Sequence, residues 1–482
     1  MAATARTRLR RVLLPDLLGP VHARATTLSI DGVDVRDLAY DSRRVQDGTL
    51  FFCVPGATTD GHDHAAAAVA AGACALVVER ELDVAVPQVV VDSCRAAMGP
   101  IADAFFGSPS AQLRVLAVTG TNGKTTTAYL QHAILTAAGH ATGLLGTVER
   151  RIGGVVETAQ RTTAEAIDLH RDFRRMVDAG DTACAMEVSS HALDQHRVGG
   201  VRFAAAAFTN LTQDHLDYHG DMEAYFAAKA ILFDGRCPTA ANADDAYGRR
   251  LSADLRFGID APDAVVRATD VRYGPAGTSL RLHTPWGDAA LDTRLVGRFN
   301  VENALAAAAS TGLAGVPLTA IVDGLSGLAG VPGRLEVVST DEPFGVIVDY
   351  AHTADALENV LRAVRPLATG RVIVVFGCGG DRDRGKRPAM ARAACALADT
   401  VIITTDNPRS EDPLAIIAEV ETGADGRQEV EPDRRRAIER AIGLAEAGDV
   451  VVIAGKGHEQ GQDVAGVTSP FDDRDVAREV LA

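Results

Sequence analysis

The feature that most constrains the fold of this chain is a short glycine-rich loop between an apolar strand and an amphipathic helix. Residues 113–118 form an apolar run typical of a buried strand, and the loop Gly120-x-x-Gly123-Lys124-Thr125 follows it. The next segment places apolar residues at helical spacing, at Leu130, Ile134, Ala137 and Ala138, and Gly139 is expected to end the helix. A strand, a glycine loop and a helix in this order predict an α/β domain that binds phosphate.

The loop has the chemistry of a nucleotide-phosphate site. Glycines allow backbone N–H groups to approach phosphate oxygens, and the helix N-terminus adds a partial positive charge. We expect Lys124 to bridge the β- and γ-phosphates and Thr125 to offer its hydroxyl to Mg²⁺. The alternative is a glycine-rich turn with an exposed lysine, which the flanking strand and helix make the less favoured interpretation.

The whole chain is expected to form three α/β domains. At 482 residues it is too long for one ordinary core, and turn-forming residues at 107–110 and 330–333 indicate two boundaries. We predict an N-terminal domain over 1–110, a central phosphate-loop domain with a parallel sheet over 111–334, and a Rossmann-like C-terminal domain over 335–482. Predicted strands are 50–54, 75–78, 345–348, 372–376, 401–404 and 450–453, and predicted helices are 64–71, 354–364, 386–397 and 413–421.

Composition excludes several classes of protein. The net charge of −16 argues against non-specific nucleic-acid binding, although a pocket on an acidic protein can still be locally basic. The seven cysteines include no C-x-x-C pair, so a structural zinc site is not expected, and they are typical of reduced core thiols. Arg6, Arg8, Arg10 and Arg11 precede an apolar run that Pro15 interrupts, which is too short for a secretory signal. No apolar stretch is long enough to span a membrane, so we expect a cytoplasmic protein.

Two features lead from the loop to a known family. The loop is two residues shorter than the common G-x-x-x-x-G-K-[ST] form, and in this it resembles the Mur ligases and the folylpolyglutamate synthetases. The resemblance to the Mur ligases covers nearly the whole chain. In order, the matching segments are 41–43, 120–126, 162–163, 187–191, 209–217, Lys229, 297–300, 332–334, 349–352, 380–382, 406–409 and 455–459.

The resemblance implies an ATP-dependent ligase that phosphorylates a carboxylate and then forms an amide bond. Catalysis is implied for Lys124, Glu187, His215 and Lys229, and metal binding for Thr125, Glu187, His215 and Lys229 with Mg²⁺. The matching lysine of the family is carbamylated, which gives an anionic ligand. ATP contacts are implied for Gly120, Thr121, Asn122, Gly123, Lys124, Thr125, Thr126, Asn300, Arg334 and Asp349.

Each of these residues has an ordinary structural interpretation as well. Glu187 would otherwise be a capping or salt-bridged carboxylate, and His215 a packed, hydrogen-bonded core histidine. Lys229 lies in an apolar helical segment, where a lysine normally extends its ammonium to the surface. Arg334 and Asp349 would otherwise form surface ion pairs.

The resemblance also implies the acceptor, UDP-N-acetylmuramoyl-L-alanyl-D-glutamate. Its muramoyl-dipeptide part is expected at Thr162, Thr163, Ser189, Gln195 and Arg197. Its UDP part is expected in the N-terminal domain at Ser42, with softer matches at Tyr40 and the turn 57–59. We expect the enzyme to act as a monomer.

The segment Asp406-Asn407-Pro408-Arg409 indicates which amino acid is added. It follows a predicted strand, so it lies at the carboxyl edge of the sheet, where ligands bind in open α/β folds. The guanidinium of Arg409 can bind the distal carboxylate that meso-2,6-diaminopimelate has and lysine lacks. Arg382, Gly455 and Glu459 match the rest of the amino-acid site, with Glu459 suited to the distal ammonium. The ordinary interpretation is an Asn-Pro turn flanked by a solvated arginine.

Two other functions compete with this one. A folylpolyglutamate synthetase shares the short loop but has no reason to carry the N-terminal UDP segment or the Arg409 motif. A nucleotide switch or binding module would need no Glu187, His215 and Lys229. The Mur-like amidating subunits carry a cysteine cluster for zinc, which this sequence lacks.

Overall fold

The computed structural model describes residues 11–56, 59–274, 277–339 and 342–482. Arg6, Arg8 and Arg10 and residues 57 and 58 of the predicted turn lie outside these ranges. Three main sheets follow one another along the chain, and each lies within one of the three predicted domains. The mixed α/β class is therefore confirmed, while the boundaries at 110/111 and 334/335 remain predictions.

The N-terminal sheet is parallel except at one edge. Its strands, in spatial order, are Ala25–Thr26, Gln88–Val90, Ala73–Val78, Thr49–Phe52 and Asp37–Ala39, and Ala25–Thr26 is antiparallel to its neighbour. The small ladder Val12–Leu13 with Asp34–Val35 lies beside it. Its helices are Leu14–Leu18, Ala65–Ala70 and Cys94–Phe106, with 3-10 turns at Ser42–Arg44, Gly61–His64 and Pro109–Gln112.

The central sheet is parallel in its middle and antiparallel at both ends. Its spatial order is Val155–Thr158, Glu149–Ile152, Thr142–Leu145, Ala183–Glu187, Arg114–Thr119, Ala205–Phe208, Thr239–Asn242, Leu255–Gly258, Val266–Gly274, Gly277–Thr284 and Gly287–Thr293. The strands from Thr142–Leu145 to Val266–Gly274 pair in parallel. The antiparallel strands at both ends were not expected from the sequence.

Helices cover both faces of the central sheet. They are Lys124–Ala137, Ala166–Ala179, Ser190–Asp194, Leu216–His219, Met222–Ala230, Arg298–Leu313 and Leu318–Gly327, with 3-10 turns at Ile231–Phe233 and Gly248–Arg250. Leu130 and Ile134 are buried as predicted. Ala137 is exposed, so the predicted apolar face is wrong there; it is the last helical residue, and the chain turns away at Gly139 (φ +87°).

The C-terminal sheet is parallel except for its first strand. Its spatial order is Glu336–Ser339, Gly345–Asp349, Val450–Ala454, Val372–Phe376, Thr400–Ile403 and Glu429–Val430. Its helices are Ala354–Val364, Lys386–Leu397, Pro413–Glu421, Arg434–Leu444 and Asp473–Leu481, with a 3-10 turn at Arg365–Leu367. A hairpin of Gly461–Val464 and Val467–Pro470 stands apart from this sheet. The predicted alternation of strands and helices is confirmed here.

The N-terminal and central domains share part of a core. Ala166 and Ile167, at the start of a central-domain helix, are buried in one cluster with Met98 and Ile101 of the N-terminal domain. Shared apolar burial of this kind holds two domains in one relative position. Among the helices of the described ranges, none is both long and apolar enough to cross a bilayer.

Candidate active site

Four adjacent parallel strands end at one edge of the central sheet, and the site is built on their carboxyl ends. Arg114–Thr119 leads into the glycine loop, and Thr142–Leu145 leads to Thr147. Ala183–Glu187 ends on Glu187, and Ala205–Phe208 leads to Asn210. The carboxyl edge of a parallel sheet is where ligands bind in open α/β folds, so the topology collects these side chains for a ligand.

The glycine loop needs its glycines for close packing. Gly123 has φ +85° and caps the helix Lys124–Ala137. A Cβ there would lie 2.1 Å from the Asn303 Oδ1 atom. The Asn122 N–H donates to Asn210 Oδ1 at 2.9 Å, and Asn210 Nδ2 donates to the Asn122 carbonyl at 3.2 Å. The loop conformation is thus fixed from two neighbouring segments.

Two lysines converge on one carbonyl of this loop. Lys124 Nζ donates to the Gly120 oxygen at 3.0 Å and to the Thr121 oxygen at 2.8 Å. Lys229 Nζ donates to the same Gly120 oxygen at 2.7 Å. Burial lowers the pKa of Lys124. Burial, with Lys124 close by, lowers the pKa of Lys229 well below its usual value.

Lys229 lies on the helix Met222–Ala230, as the sequence predicts, but it does not reach the surface. Its side chain is 1% exposed, and its ammonium lies 4.7 Å from the centre of the Tyr225 ring. In the described part of the chain, no carboxylate oxygen lies within 4.0 Å of its Nζ atom. The interpretation as a surface lysine is therefore wrong, because the apolar helix face on which it sits packs inward.

Glu187 is a buried carboxylate held by hydroxyl and amide donors. Thr125 Oγ1 donates to its Oε2 atom at 3.1 Å. Thr147 donates twice, from Oγ1 to Oε2 at 3.0 Å and from its N–H to Oε1 at 2.8 Å. The capping or salt-bridge interpretation of Glu187 is not what is observed. Thr147 was not predicted as a site residue, although its place after a parallel strand could have suggested it.

His215 lies beside these residues. Its backbone is in the left-handed region (φ +55°), and its Nε2 atom is 3.4 Å from Asp214 Oδ2. Burial lowers the pKa of His215 to about 3, against the opposing effect of the Asp214 carboxylate. A neutral imidazole is the form that can bind a metal ion.

These side chains line one cavity of about 330 Å³ between the central and C-terminal domains. Arg334 crosses it, since Arg334 Nη2 donates to Thr125 Oγ1 at 3.1 Å and its guanidinium lies 4.4 Å from the Tyr350 ring centre. Predicted residues on the cavity wall are Thr121, Asn122, Gly123, Lys124, Thr125, Thr126, Thr162, Glu187, Ser189, His215, Lys229, Arg334 and Asp349.

Two residues predicted to contact the nucleotide use their side chains in hydrogen bonds to the backbone. Asp349 accepts from the N–H groups of Leu335 and Ala351, so both of its oxygens hold backbone. Asn300 Nδ2 donates to the Val296 carbonyl at 2.8 Å, within the turn that starts its helix. Asn303, one turn further on, faces the cavity instead.

The oxygen donors of this wall fit Mg²⁺. No group of three His, Cys, Asp or Glu side chains placed to hold a metal ion occurs within the ranges the structure describes. Mg²⁺ bound with a nucleotide needs only one or two protein oxygens, because phosphate and water oxygens complete its shell. The Thr125 hydroxyl and the buried Glu187 carboxylate, 3.1 Å apart, are such a pair.

A second cavity, of about 480 Å³, lies where the N-terminal and central domains meet. Asp168 joins its two sides: Tyr40 Oη donates to it at 2.6 Å, Arg44 at 3.0 Å and Arg171 at 2.8 Å. Tyr40 and Arg44 line this cavity, whereas Ser42 between them begins a 3-10 turn and is not on its wall.

Thr162 lines both cavities, and it leads to the residues predicted for the dipeptide. Thr162 Oγ1 is 3.0 Å from Thr147 Oγ1. Thr163 is buried, and its hydroxyl donates to the Glu187 carbonyl at 2.9 Å. Arg197 donates to the Thr163 carbonyl at 3.2 Å and to Gln195 Oε1 at 2.7 Å. These contacts connect the predicted residues with one another and with Glu187.

The C-terminal residues form a separate cluster at the carboxyl edge of their own sheet. Arg409 has φ +53°, and its backbone pairs with the hairpin through Asp463 O (3.0 Å) and Ala465 N (2.7 Å). Its Nη1 atom donates to the Gly380 carbonyl at 2.7 Å. Arg382 is exposed and donates to the carbonyl of its neighbour Asp381.

The other residues of this cluster are buried or partly buried and are hydrogen-bonded to one another. Asn407 Nδ2 donates to Glu459 Oε2 at 2.7 Å, and Tyr350 Oη donates to Glu459 Oε1 at 3.3 Å. Gly455 has φ +117°, and a Cβ there would lie 2.7 Å from Asp406 Oδ2. Asp406 and Pro408 are both buried. Tyr350 also lines the first cavity, whereas Asn407, Arg409 and Glu459 do not. The cluster is therefore a neighbour of that cavity.

Family models match most of the chain. The Mur ligase middle domain matches residues 118–311, the Mur ligase glutamate ligase domain matches 333–457, and the Mur ligase family catalytic domain matches 34–106. The three matches fall on the three sheets in chain order.

Relatives that match along nearly their whole length belong to the same family. A UDP-N-acetylmuramoyl-L-alanyl-D-glutamate–2,6-diaminopimelate ligase of Geobacillus kaustophilus is 50% identical over 462 residues, covering 92% of this chain and 94% of its own. The ligase of that name from Solibacter usitatus is 46% identical, covering 98% and 97%. A solved structure of a ligase of the same name has a TM-score of 0.69 at 35% identity, covering 98% of this chain and 99% of its own.

Proposed function

The chain belongs to the Mur ligase family, and from this we propose that it adds meso-2,6-diaminopimelate to the D-glutamate of UDP-N-acetylmuramoyl-L-alanyl-D-glutamate at the expense of ATP. The products are ADP, phosphate and the UDP-tripeptide used for peptidoglycan. The observation that carries the proposal is the first cavity, which gathers the glycine loop, Glu187, His215 and Lys229 beside the Arg409 cluster. We place the reaction in the cytoplasm, the compartment that supplies ATP, and expect a monomer.

The first step is transfer of the γ-phosphoryl group to the D-glutamate carboxylate. A triphosphate and a carboxylate repel each other, so the reaction needs cations between them. Lys124 and Arg334 line the cavity and supply two of these cations. Lys124 Nζ is hydrogen-bonded to the loop carbonyls, and Arg334 Nη2 is hydrogen-bonded to the Thr125 hydroxyl. The carboxylate oxygen bonds to the γ-phosphorus and ADP leaves, which gives an acyl phosphate.

The second step is attack by the amine of diaminopimelate on the acyl carbon. The C–N bond forms, phosphate departs with the electron pair of the C–O bond, and the amine loses a proton. The proposed reaction centre lies in the cavity between the central and C-terminal domains, where exclusion of water would protect the acyl phosphate from hydrolysis. Thr162 and Ser189, on the wall shared with Glu187, are placed to orient the dipeptide.

Mg²⁺ would be held by Thr125, Glu187 and His215 and would neutralise charge on the phosphates. We propose that Lys229 is carbamylated and adds an anionic oxygen ligand. Its support is the buried Nζ atom with a lowered pKa and no carboxylate partner among the described side chains, because a neutral amine is the form that reacts with CO₂.

Diaminopimelate is proposed to bind at the Arg409 cluster. Arg409 offers its guanidinium to the distal carboxylate, and Glu459 offers a carboxylate to the distal ammonium. Arg382 is exposed in the same loop region and is free to turn toward the amino acid. The muramoyl and UDP parts are proposed to occupy the second cavity, beside Tyr40 and Arg44, with Ser42 in the adjoining 3-10 turn.

Folylpolyglutamate synthetase activity is the competing function. The family match over residues 34–106 and the Arg409 segment both favour the Mur ligase function. A nucleotide-binding module is disfavoured by the burial of Glu187 and Lys229 beside the loop, since such a module needs neither.

One experiment tests the proposal. Phosphate release is measured with ATP and Mg²⁺ alone, with each acceptor separately, and with both, and the UDP product is weighed by mass spectrometry. We expect release that requires both acceptors and a product heavier by one diaminopimelate residue. Turnover that is independent of acceptors would support the module, and a product formed equally well with L-lysine would contradict the substrate assignment.

A further inference from the structure

Lys456 is a buried cation beside the amino-acid cluster for which the proposed mechanism has no role so far. Its side chain is 0% exposed, although it lies in a loop just after the strand Val450–Ala454. Burying an ammonium is strongly unfavourable unless it is paired and hydrogen-bonded. A lysine kept in such a place is held there by its partners.

Those partners are the side chains proposed to bind diaminopimelate. Lys456 Nζ donates to Asn407 Oδ1 at 3.0 Å and to Glu459 Oε2 at 3.1 Å, and it lies 4.0 Å from Asp406 Oδ1. Asn407 Nδ2 donates to the same Glu459 Oε2 atom. Lys456 therefore joins two segments, 406–409 and 455–459, that are far apart in sequence.

The network fixes which way the Asn407 amide points. Its Oδ1 atom accepts from Lys456 Nζ and from the Asp463 N–H at 3.0 Å, which uses both lone pairs. A flipped amide would place its NH₂ group against two donors. One Nδ2 proton is committed to Glu459, and the other has no acceptor among the described residues.

Glu459 is oriented in the same way. Its Oε2 atom accepts from both Lys456 and Asn407, whereas its Oε1 atom has one donor, Tyr350 Oη, at 3.3 Å. The side chain of Glu459 is 30% exposed, while that of Lys456 is fully covered. Oε2 of Glu459 is thus fixed by two donors, and Oε1, which has one long hydrogen bond, remains able to accept from a ligand.

We propose that Lys456 is a positioning residue for amino-acid selection, which holds Glu459, directly and through Asn407, in the orientation that receives the distal ammonium of the incoming diamino acid. The inference rests on the proposed function for the identity of that amino acid. Lys456 touches neither the substrate nor the reacting atoms and acts only through its two partners.

A second effect of Lys456 would act in the opposite direction. As a nearby cation it repels an incoming ammonium, so removing it would strengthen binding if charge alone mattered. If positioning dominates, removing it weakens binding, because Glu459 can then rotate and Asn407 can flip. The sign of the change therefore separates the two roles.

The test compares two amino acids in Lys456→Met and in the wild-type enzyme. One is meso-diaminopimelate, and the other is 2-aminopimelate, which keeps both carboxylates and the reacting amine but lacks the distal ammonium. We expect kcat/KM for diaminopimelate to fall roughly ten- to hundredfold, mainly through KM, as for loss of hydrogen bonds to a charged group. The value for 2-aminopimelate should stay within about threefold, and the KM for ATP should not move.

Two control variants make the result decisive. Lys456→Gln keeps a donor for Asn407 and should recover part of the preference for diaminopimelate, and it replaces Lys456→Met if that variant does not fold. Val374→Ala, which removes buried apolar volume from the same sheet, should lower the Tm without changing the ratio of the two substrates. A parallel loss for both amino acids, an unchanged ratio or an increased preference for diaminopimelate would each overturn the role of Lys456. Wild-type enzyme that ligates neither amino acid would overturn the proposed function itself.

Discussion

The two ligand regions of this chain each contain a buried lysine, and the two lysines are treated in opposite ways. Lys229, beside the glycine loop, faces a carbonyl and an aromatic ring, and burial lowers its pKa strongly. Lys456, in the C-terminal cluster, is bonded to Asn407 and Glu459. A buried amine without a carboxylate partner tends to lose its proton and can then react as a nucleophile. A buried amine that is paired and hydrogen-bonded can fix the orientation of its partners.

The difference extends to the surrounding residues. The first cavity is lined by loop backbone, hydroxyls and cations together with the carboxylates of Glu187 and Asp349, and we propose that it binds phosphate. The C-terminal cluster consists of side-chain amide, carboxylate and guanidinium groups, with a hairpin that pins Arg409 in a left-handed conformation. We therefore assign the chemistry to the first region and the choice of amino acid to the second.

The largest effect is expected at Lys124. Lys124→Ala removes a cation from the transferring phosphoryl group, and we expect kcat to fall by on the order of a thousandfold or more. Steady-state phosphate release with all substrates present measures it. Activity within a few-fold of wild type would show that the loop is not catalytic.

The next effect is expected at Lys229. Lys229→Ala should be nearly inactive, on the order of a hundredfold or more below wild type, because the carbamate ligand is lost. Added bicarbonate cannot restore a missing amine, but a short-chain carboxylic acid that enters the space should restore part of the activity. Full activity in Lys229→Ala would exclude the carbamate.

Arg409 should affect recognition and leave the nucleotide region unchanged. Arg409→Ala loses the partner of the distal carboxylate, which costs roughly 2–5 kcal/mol, or about thirtyfold to several thousandfold in the KM for diaminopimelate. The KM for ATP should change little. Arg409→Lys should restore only part of the affinity for diaminopimelate, because an ammonium cannot form the two-point contact with a carboxylate. Discrimination against L-lysine should shrink in both variants, and an unchanged KM for diaminopimelate would contradict the assignment.

The smallest effect is expected at an exposed contact between the two regions. Gln213 Nε2 donates to Asp383 Oδ2 at 3.3 Å across the domain boundary. Exposed polar contacts contribute little, so Gln213→Ala should change kcat and both KM values by no more than about twofold. A tenfold loss would mean that this contact helps to close the two domains.

Much of the C-terminal domain could be predicted from the sequence because its helices begin at strong local signals. Thr353 caps the helix Ala354–Val364 by accepting from the Ala356 N–H, and Asp412 followed by Pro413 starts the helix Pro413–Glu421. The strand Val372–Phe376 is apolar throughout and lies between Arg371 and a glycine-rich segment that starts at Gly377. Local patterns of this kind do not depend on the rest of the fold.

Other features depend on distant parts of the chain and could not be predicted. The burial of Lys229 needs the loop at Gly120, more than a hundred residues away, and Thr147 becomes a partner of Glu187 only through parallel pairing of their strands. Asn300 was predicted at the nucleotide, but its amide is used in its own helix start, and Asn303 faces the cavity. The metal-binding role of Glu187 and the carbamate on Lys229 came from the family resemblance and remain predictions, whereas composition and spacing alone favoured ordinary structural roles.

The division of labour between the two regions can be tested by following acyl phosphate formation without any amino acid. ATP carrying ¹⁸O in the β–γ bridge is incubated with the UDP-dipeptide, and scrambling of the label into non-bridging positions reports reversible phosphoryl transfer. We predict that Arg409→Ala scrambles the label at the wild-type rate, within about twofold, whereas Lys124→Ala shows a loss on the order of a thousandfold. Loss of scrambling in Arg409→Ala comparable to that in Lys124→Ala would contradict the separation of chemistry from selection.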